Sequence, residues 1–165
     1  MEARSLSGRA HVITVSDGVS AGTRNDASGP GLLAMLGEAG LNVSGPEVVP
    51  DEHELITAAI IAAVVAGADL VVTTGGTGLG PRDVTPQATS LVIDYAVPGI
   101  AELMRRAGEA STPMAALSRG LAGVRGHALI LNVPGSSKGA TESLAAVLPV
   151  LEHAIQLLQG HTSHE

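Results

Sequence analysis

The chain has 165 residues, 45% of them apolar, with sixteen acidic against nine basic side chains and a formal charge of −7. That length suits one domain with a sizeable core, and the acidic balance argues against general binding of nucleic acid or anionic membrane. Phe, Trp and Cys are absent and Tyr95 is the single aromatic, which removes base-stacking platforms, disulfides, thiolate metal sites and thiol nucleophiles.

In chain order, residues 1–9 are polar and read as a flexible tail. Residues 10–15 read as a short buried strand, β-branched and stopped by Ser16-Asp17-Gly18. A polar loop over 17–29 follows. A helix starts at Pro30, shows Leu32, Leu33 and Leu36 on one face, and ends at Gly40. Residues 43–49 form a second strand. Leu55, Ile56, Ala59, Ile60 and Ala63 then recur at helical spacing within a helix over about 52–66. Residues 69–74 (DLVVTT) are a third strand, apolar without alternation as in a strand covered on both faces, and run into Gly75-Gly76-Thr77-Gly78.

Thr85-Pro86 opens another helix, with Leu91 and Ile93 expected to face inward. Pro98-Gly99 divides it from a helix over 100–110. Residues 117–124 fit a strand or a loop pairing with the next element. Residues 128–133 (ALILNV) are a strand ending in Pro134-Gly135-Ser136-Ser137-Lys138. Leu144, Val147, Leu148, Leu151, Ile155 and Leu158 then line one helical face, with Pro149 predicting a kink or two abutting helices. The alternation implies a three-layer α/β/α single domain over 10–160, a mostly parallel sheet with helices on both faces, and a second tail at 161–165. There is no secretory-signal pattern and no apolar run of membrane-spanning length, so a cytoplasmic location with neither membrane nor nucleic acid as partner is expected.

Four predicted strands end in polar loops: Ser16-Asp17, Pro50-Asp51, the stretch 75–83 and Pro134 to Lys138. In a parallel sheet these loops share one edge, where open α/β folds bind ligands. Glycines at 75, 76 and 78 let backbone N–H groups approach an anion, and Gly135-Ser136-Ser137-Lys138 offers hydroxyls and a cation before a helix. Arg82 supplies a planar donor fork, and Asp51 and Asp83 are hard oxygen ligands suited to Mg²⁺ beside phosphates. Each has a plainer explanation: turn glycines, helix-capping or turn-forming aspartates, and solvated loop residues at Asp17 and Asp26. The P-loop, dinucleotide-fold, zinc and G-x-S-x-G patterns are all missing.

The run TTGGTGLGPRDVTP, from Thr73 to Pro86, resembles the signature of the molybdopterin adenylyltransferases, the Mog proteins of bacteria and the G domain of gephyrin. Val15-Ser16-Asp17, Asp26 with Gly29, Val49-Pro50-Asp51-Glu52, Pro98-Gly99, Leu117-Ser118-Arg119 and Asn132-Val133-Pro134-Gly135-Ser136 match in the same order. The resemblance implies a trimeric cytoplasmic enzyme of molybdenum cofactor synthesis that uses Mg²⁺ to transfer AMP from ATP to the terminal phosphate of molybdopterin. It implies catalytic, metal-positioning roles for Asp51 and Asp83. Ligand contacts would come from Ser16, Asp17, Asp26, Gly75, Gly76, Thr77, Gly78, Pro81, Arg82, Thr85, Ser118, Arg119, Pro134, Gly135, Ser136, Ser137 and Lys138. Metal insertion would fall to a separate protein that receives the product. The alternatives are a non-catalytic molybdopterin carrier or scaffold of the MoaB kind, which shares the glycine-rich turn, and a structural oligomerisation domain.

Overall fold

The computed structural model describes residues 5–161. Its elements are β1 (Arg9–Val15), α1 (Asp17–Ser20), α2 (Gly29–Glu38), β2 (Asn42–Val49), α3 (His53–Val65), β3 (Leu70–Thr74), α4 (Thr85–Val92), β4 (Tyr95–Ala96), α5 (Pro98–Glu109), a 3-10 turn (Pro113–Leu117), β5 (Ala122–Arg125), β6 (Ala128–Val133) and α6 (Ser137–Leu158). The strands form one 6-stranded sheet in the order β2-β1-β3-β6-β5-β4. The first four in that order run parallel, and β5 and β4 extend the sheet antiparallel.

The unbroken apolar strands follow from covering both sheet faces. Along β3, Leu70 and Val72 enter one core and Val71 the other; β6 does the same with Leu129, Leu131 and Val133 against Ile130. Successive side chains of a strand point to opposite faces, so such a run feeds two cores at once. The larger core takes Leu32 and Leu36 of α2, Met104 of α5 and Leu144, Val147 and Leu151 of α6. The smaller takes Ile56 and Ile60 of α3 with Ala88 and Val92 of α4. The three-layer α/β/α reading therefore holds.

Local expectations fail where short elements intervene. Leu91 does not face inward: it is 70% exposed, and α4 buries Thr85, Ala88, Thr89 and Val92 instead. Those four sit at i, i+3, i+4 and i+7, so the helix presents a different face from the one its largest side chain suggests. The loop over 17–29 contains the one-turn helix α1 and ends where Gly29 opens α2. Pro98 does not merely separate two helices but begins α5, and β4 fills the gap before it. The ambiguous stretch resolves into the 3-10 turn and β5, which pairs with β6. In place of two abutting helices, α6 continues through Pro149 as one element.

Residues 5–8 are held against the domain: Leu6 is buried and its N–H donates to the Ala39 carbonyl at 2.8 Å. Arg9 opens β1 rather than ending a tail, and the His161 N–H donates to the Gln156 carbonyl at 2.9 Å; residues 1–4 and 162–165 lie outside the described residues.

Candidate active site

Register places the four loops side by side. Val15 of β1 pairs with Val49 of β2, Thr14 with Thr74 of β3, and Thr74 with Val133 of β6. The residues that follow these positions therefore emerge along one edge, on strands about 5 Å apart.

The loops after β1 and β2 clasp each other through Asp17 and Asp51. The Asp17 N–H donates to Asp51 Oδ2 at 2.8 Å, and the Asp51 N–H donates to Asp17 Oδ1 at 3.0 Å. Arg82, from the loop after β3, then grips Asp17 with both prongs: Nε to Oδ2 at 3.0 Å and a terminal nitrogen to Oδ1 at 2.9 Å. Three loops meet at one carboxylate. The Arg82 hydrogen bonds hold the Asp17 carboxyl below its usual range, whereas partial burial, together with the charges of Asp17 and Asp83, pushes Asp51 up. Burial is the larger cause and the neighbouring carboxylates add to it, and a cation beside Asp51 would favour its charged form.

The glycine-rich turn fits against this cluster because Gly75 and Gly76 both adopt positive φ, 102° and 67°. At Gly75 a Cβ would collide with the Val15 carbonyl oxygen; at Gly76 it would meet the Thr85 hydroxyl and, at 3.1 Å, Asp51 Oδ1. Only glycine brings the backbone so close to Val15 and Asp51. Thr85, fully buried, donates its hydroxyl to the Gly75 carbonyl at 2.9 Å and its N–H to the Gly76 carbonyl at 3.2 Å. Asp83 Oδ2 accepts the Gly80 N–H at 2.9 Å.

On the other side of the turn lies a cavity of about 450 Å³. Its walls are Thr77 and Gly78 of the turn, the α5 face carrying Ala101, Met104, Arg105 and Gly108, the 3-10 turn, and the start of α6 with Lys138, Glu142 and Ser143. Ser118, Pro134 and Ser136 complete the part that the sequence singled out. Lys138 is the only lysine of the chain and its side chain is 77% exposed.

The structure divides the sequence-predicted residues by what their polar atoms already hold. Asp51, Asp83, Asp17, Arg82 and Ser16 gather at the clasp, where Ser16 Oγ caps α1 by accepting the Val19 N–H at 3.2 Å. Thr77, Gly78, Ser118, Pro134, Ser136 and Lys138 line the cavity. Ser136 Oγ caps α6 on the Gly139 N–H at 3.1 Å, Gly135 packs against Gly75, and Ser137 and Pro81 lie exposed. Asp26 has both oxygens engaged, accepting the Thr14 hydroxyl at 2.7 Å and the Gly29 N–H at 2.9 Å at the start of α2.

Arg119 braces the turn from beneath. Its guanidinium donates to the Gly78 carbonyl at 2.9 Å and the Asp83 carbonyl at 2.7 Å, and its N–H donates to the Thr77 carbonyl at 2.9 Å. In a trans peptide the N–H points opposite the C=O. The N–H groups of Gly78, Leu79 and Val84 are therefore turned away from Arg119.

Sequence reasoning missed the α5 wall. Its signal was Ala101, Met104, Arg105 and Gly108 at i, i+3, i+4 and i+7, a face too mixed to read as core. Asn132 entered only as the first residue of a family-like run, without a role; it is buried in ALILNV, and its amide donates to Thr73 and Thr89 and accepts the Leu121 N–H. A lone Asn in an apolar strand marks such a network.

A metal reading can be tested on the donor set. Among the described residues no group of three His, Cys, Asp or Glu side chains is placed to hold an ion. Asp51 Oδ1 and Asp83 Oδ1 nonetheless accept no hydrogen bond from the described residues, while Oδ2 of each is engaged. Hard carboxylate oxygens of this kind suit Mg²⁺, whose other positions are commonly filled by phosphate and water, so the donor chemistry of the two residues fits the ion.

The profile of the family described as a probable molybdopterin binding domain matches residues 11–153. A molybdopterin adenylyltransferase of Helicobacter pylori (strain J99) is 41% identical over 153 residues, 91% of this chain and 87% of that protein. A molybdenum cofactor biosynthesis bifunctional protein of Synechococcus elongatus is 42% identical over 151 residues; the match takes in 92% of this chain but 47% of that protein, so the chain spans about half its length. The solved structure of the molybdopterin biosynthesis enzyme MoaB from Thermus thermophilus matches with a TM-score of 0.84 and 52% identity, covering 93% of this chain and 97% of that one. A profile match over nearly the whole domain, with relatives this similar along their length, means that the chain belongs to the molybdopterin-binding family of molybdenum cofactor biosynthesis proteins.

Proposed function

We propose that the chain is a molybdopterin adenylyltransferase: it transfers AMP from ATP to the terminal phosphate of molybdopterin and releases pyrophosphate. The observation that carries this reading is the placement of two different sites on successive residues of one turn. Gly76 lies against Asp51 in the carboxylate cluster, and Thr77 and Gly78 form a wall of the cavity. A phosphate ester with its ring system in the cavity and a triphosphate at the cluster would meet across that turn.

An oxygen of the molybdopterin phosphate forms the new bond to the α-phosphorus, and the bond from that phosphorus to the bridging oxygen breaks as pyrophosphate leaves. The incoming phosphate is already a nucleophile, so positioning and charge neutralisation remain for the protein. Asp51 and Asp83 would hold Mg²⁺ through their free oxygens; once bound, it offsets charge on the departing pyrophosphate. The outward N–H groups of the braced turn supply donors to phosphate oxygens, and Lys138 supplies a cation at the cavity rim. Arg82 is committed to Asp17, so its part is to fix the clasp; a phosphate contact from it requires that ion pair to open.

The test is pyrophosphate release and adenylylated pterin formation, with and without Mg²⁺. Product that depends on both pterin and Mg²⁺ is expected. Pterin binding with no pyrophosphate would leave a carrier of the MoaB kind, a second reading that the 52% identity to the Thermus thermophilus MoaB keeps specific. Asp83→Asn and Asp51→Asn should each cost roughly a hundredfold in rate, the scale of losing one electrostatic contributor to a transition state. A loss below tenfold would remove that residue from catalysis. We further propose a cytoplasmic homotrimer that passes its product to a separate molybdenum-inserting protein. Light scattering tests the first part, and product transfer to a partner in a coupled assay tests the second.

A further inference from the structure

We infer that Glu142 selects the pterin ring, accepting hydrogen bonds from the 2-amino group and the neighbouring N3–H. This rests on the reading of the cavity as the pterin site. Those adjacent donors distinguish a pterin from the 2-oxo lumazine of the same size, and a carboxylate is the side chain that accepts two parallel N–H bonds.

The other polar side chains of the cavity wall are neutral hydroxyls, one amide and two cations, none of which offers a charged acceptor. Asn132 spends its amide on Thr73, Thr89 and the Leu121 N–H. Arg105, a donor only, is turned to the Ser118 and Gly120 carbonyls. Ser136 Oγ caps α6, and Ser118 Oγ takes the Gly120 N–H at 3.3 Å. Among the described residues Glu142 is the one carboxylate in the wall, which also includes an α5 face of Ala101, Met104 and Gly108 that suits the flat side of a ring. Its Oε1 is fixed by the Ser111 hydroxyl at 2.7 Å, which ties the segment after α5 to α6. Its Oε2 has no hydrogen-bond partner among the described residues. Lys138, 3.8 Å away with an exposed side chain, makes a weak pair of the kind that seldom explains a residue. Glu142 is thus held in place at one oxygen and open at the other.

With the aminopyrimidinone ring at Glu142, the phosphate end of the ligand would have to reach Thr77 and Gly78, which line the same cavity. Those residues are the part of the cavity wall adjoining the carboxylate cluster, so the orientation agrees with transfer at that edge.

Glu142→Gln is the informative variant. It keeps the length and can still accept the Ser111 hydroxyl, but presents NH₂ where Oε2 stood. The variant would face the pterin donors with donors and suit the 2-oxo group of a lumazine. The experiment titrates the full chain with 6-hydroxymethylpterin phosphate and its 2-oxo lumazine counterpart, followed by ligand fluorescence; with no Trp and a single Tyr the protein background is low. The unaltered protein should prefer the pterin by roughly tenfold or more, the scale of a charge-assisted hydrogen bond. Glu142→Gln should lose that preference or reverse it, with ATP binding unchanged. Equal weakening of both compounds, or a preference that survives the substitution, overturns the inference and leaves Glu142 a structural tie. If neither compound binds the unaltered protein, the cavity reading falls with it. If the preference switches while no pyrophosphate forms in the transfer assay, the inference stands and the transferase reading falls alone.

Discussion

Asp51 is pulled in two directions by its surroundings. Burial and the charges of Asp17 and Asp83 raise its pKa, although the Asp17 N–H works the other way. A carboxyl whose folded pKa exceeds its unfolded one binds its proton more tightly in the folded state. Its contribution to stability therefore diminishes as pH climbs from the ordinary aspartate range through the raised value, and stays lost above it. Asp17 has the opposite sign: its Arg82 partner lowers its pKa, so its contribution is present above the ordinary range and disappears only as pH falls through the lowered value. Asp51→Asn should thus raise the melting temperature at neutral pH and do so less in acid, while activity collapses. Asn can still accept the Asp17 N–H, which keeps the clasp. Thermal melts of both proteins across the acid range check this, and a variant equally destabilised at every pH would contradict it. The sequence made Asp51 and Asp83 legible because hard oxygens at strand ends are a chemical pattern. It held no hint that Asp17 and Arg82 would engage each other, since they are far apart in the chain and meet only through strand order. The same blindness covered Asp26 and Thr85, whose motif membership suggested ligand contact but whose polar atoms are spent on Gly29, Thr14 and the glycine turn.

The glycine-rich turn works as an element because something outside it holds its carbonyls. Arg119 reaches Gly78 and Asp83 together, which needs the planar fork of a guanidinium. A lysine at the same position offers one compact ammonium and cannot serve both carbonyls in that geometry. Arg119→Lys should lower stability by about 1–3 kcal/mol, the cost of leaving a part-buried acceptor unsatisfied. It should also lower kcat, because the N–H groups opposite those carbonyls lose their orientation. Arg119→Ala with added free guanidinium should recover part of the rate, and the absence of any recovery alongside normal stability would argue against bracing. At this scale the sequence revealed the long elements well and the short ones poorly. β3 and β6 announce themselves by unbroken apolar runs, and α3 by its period. β4, the 3-10 turn and α1 are too brief to carry a period. Leu91 misled because size suggested burial, whereas the smaller Ala88 and Val92 fit between α4 and the sheet.

Across the whole molecule the sheet separates two cores, and only one of them adjoins the cavity. The alternation of strand and helix signals made the three layers readable from sequence. Which layer would carry the ligand depended on strand order and on the antiparallel extension through β5 and β4, which leave no local trace. The separation predicts a split between stability and function. Ile60 sits in the smaller core under α3, and Leu144 sits in the larger one beside the cavity residues Glu142 and Ser143. Both side chains are fully buried. Ile60→Ala and Leu144→Ala should therefore each cost about 2–5 kcal/mol. The two losses should add in the double variant within about 0.5 kcal/mol, because the sheet keeps the sites from sharing contacts. Their kinetics should differ. Leu144→Ala lets the start of α6 shift and should raise KM for molybdopterin, with ATP little affected. Ile60→Ala should leave both KM values unchanged for the fraction that remains folded. Denaturant unfolding with steady-state kinetics on the same preparations measures both. If Ile60→Ala moved the molybdopterin KM as far as Leu144→Ala, the two faces of the sheet would be mechanically one body and the cavity could not be assigned to the α5–α6 layer.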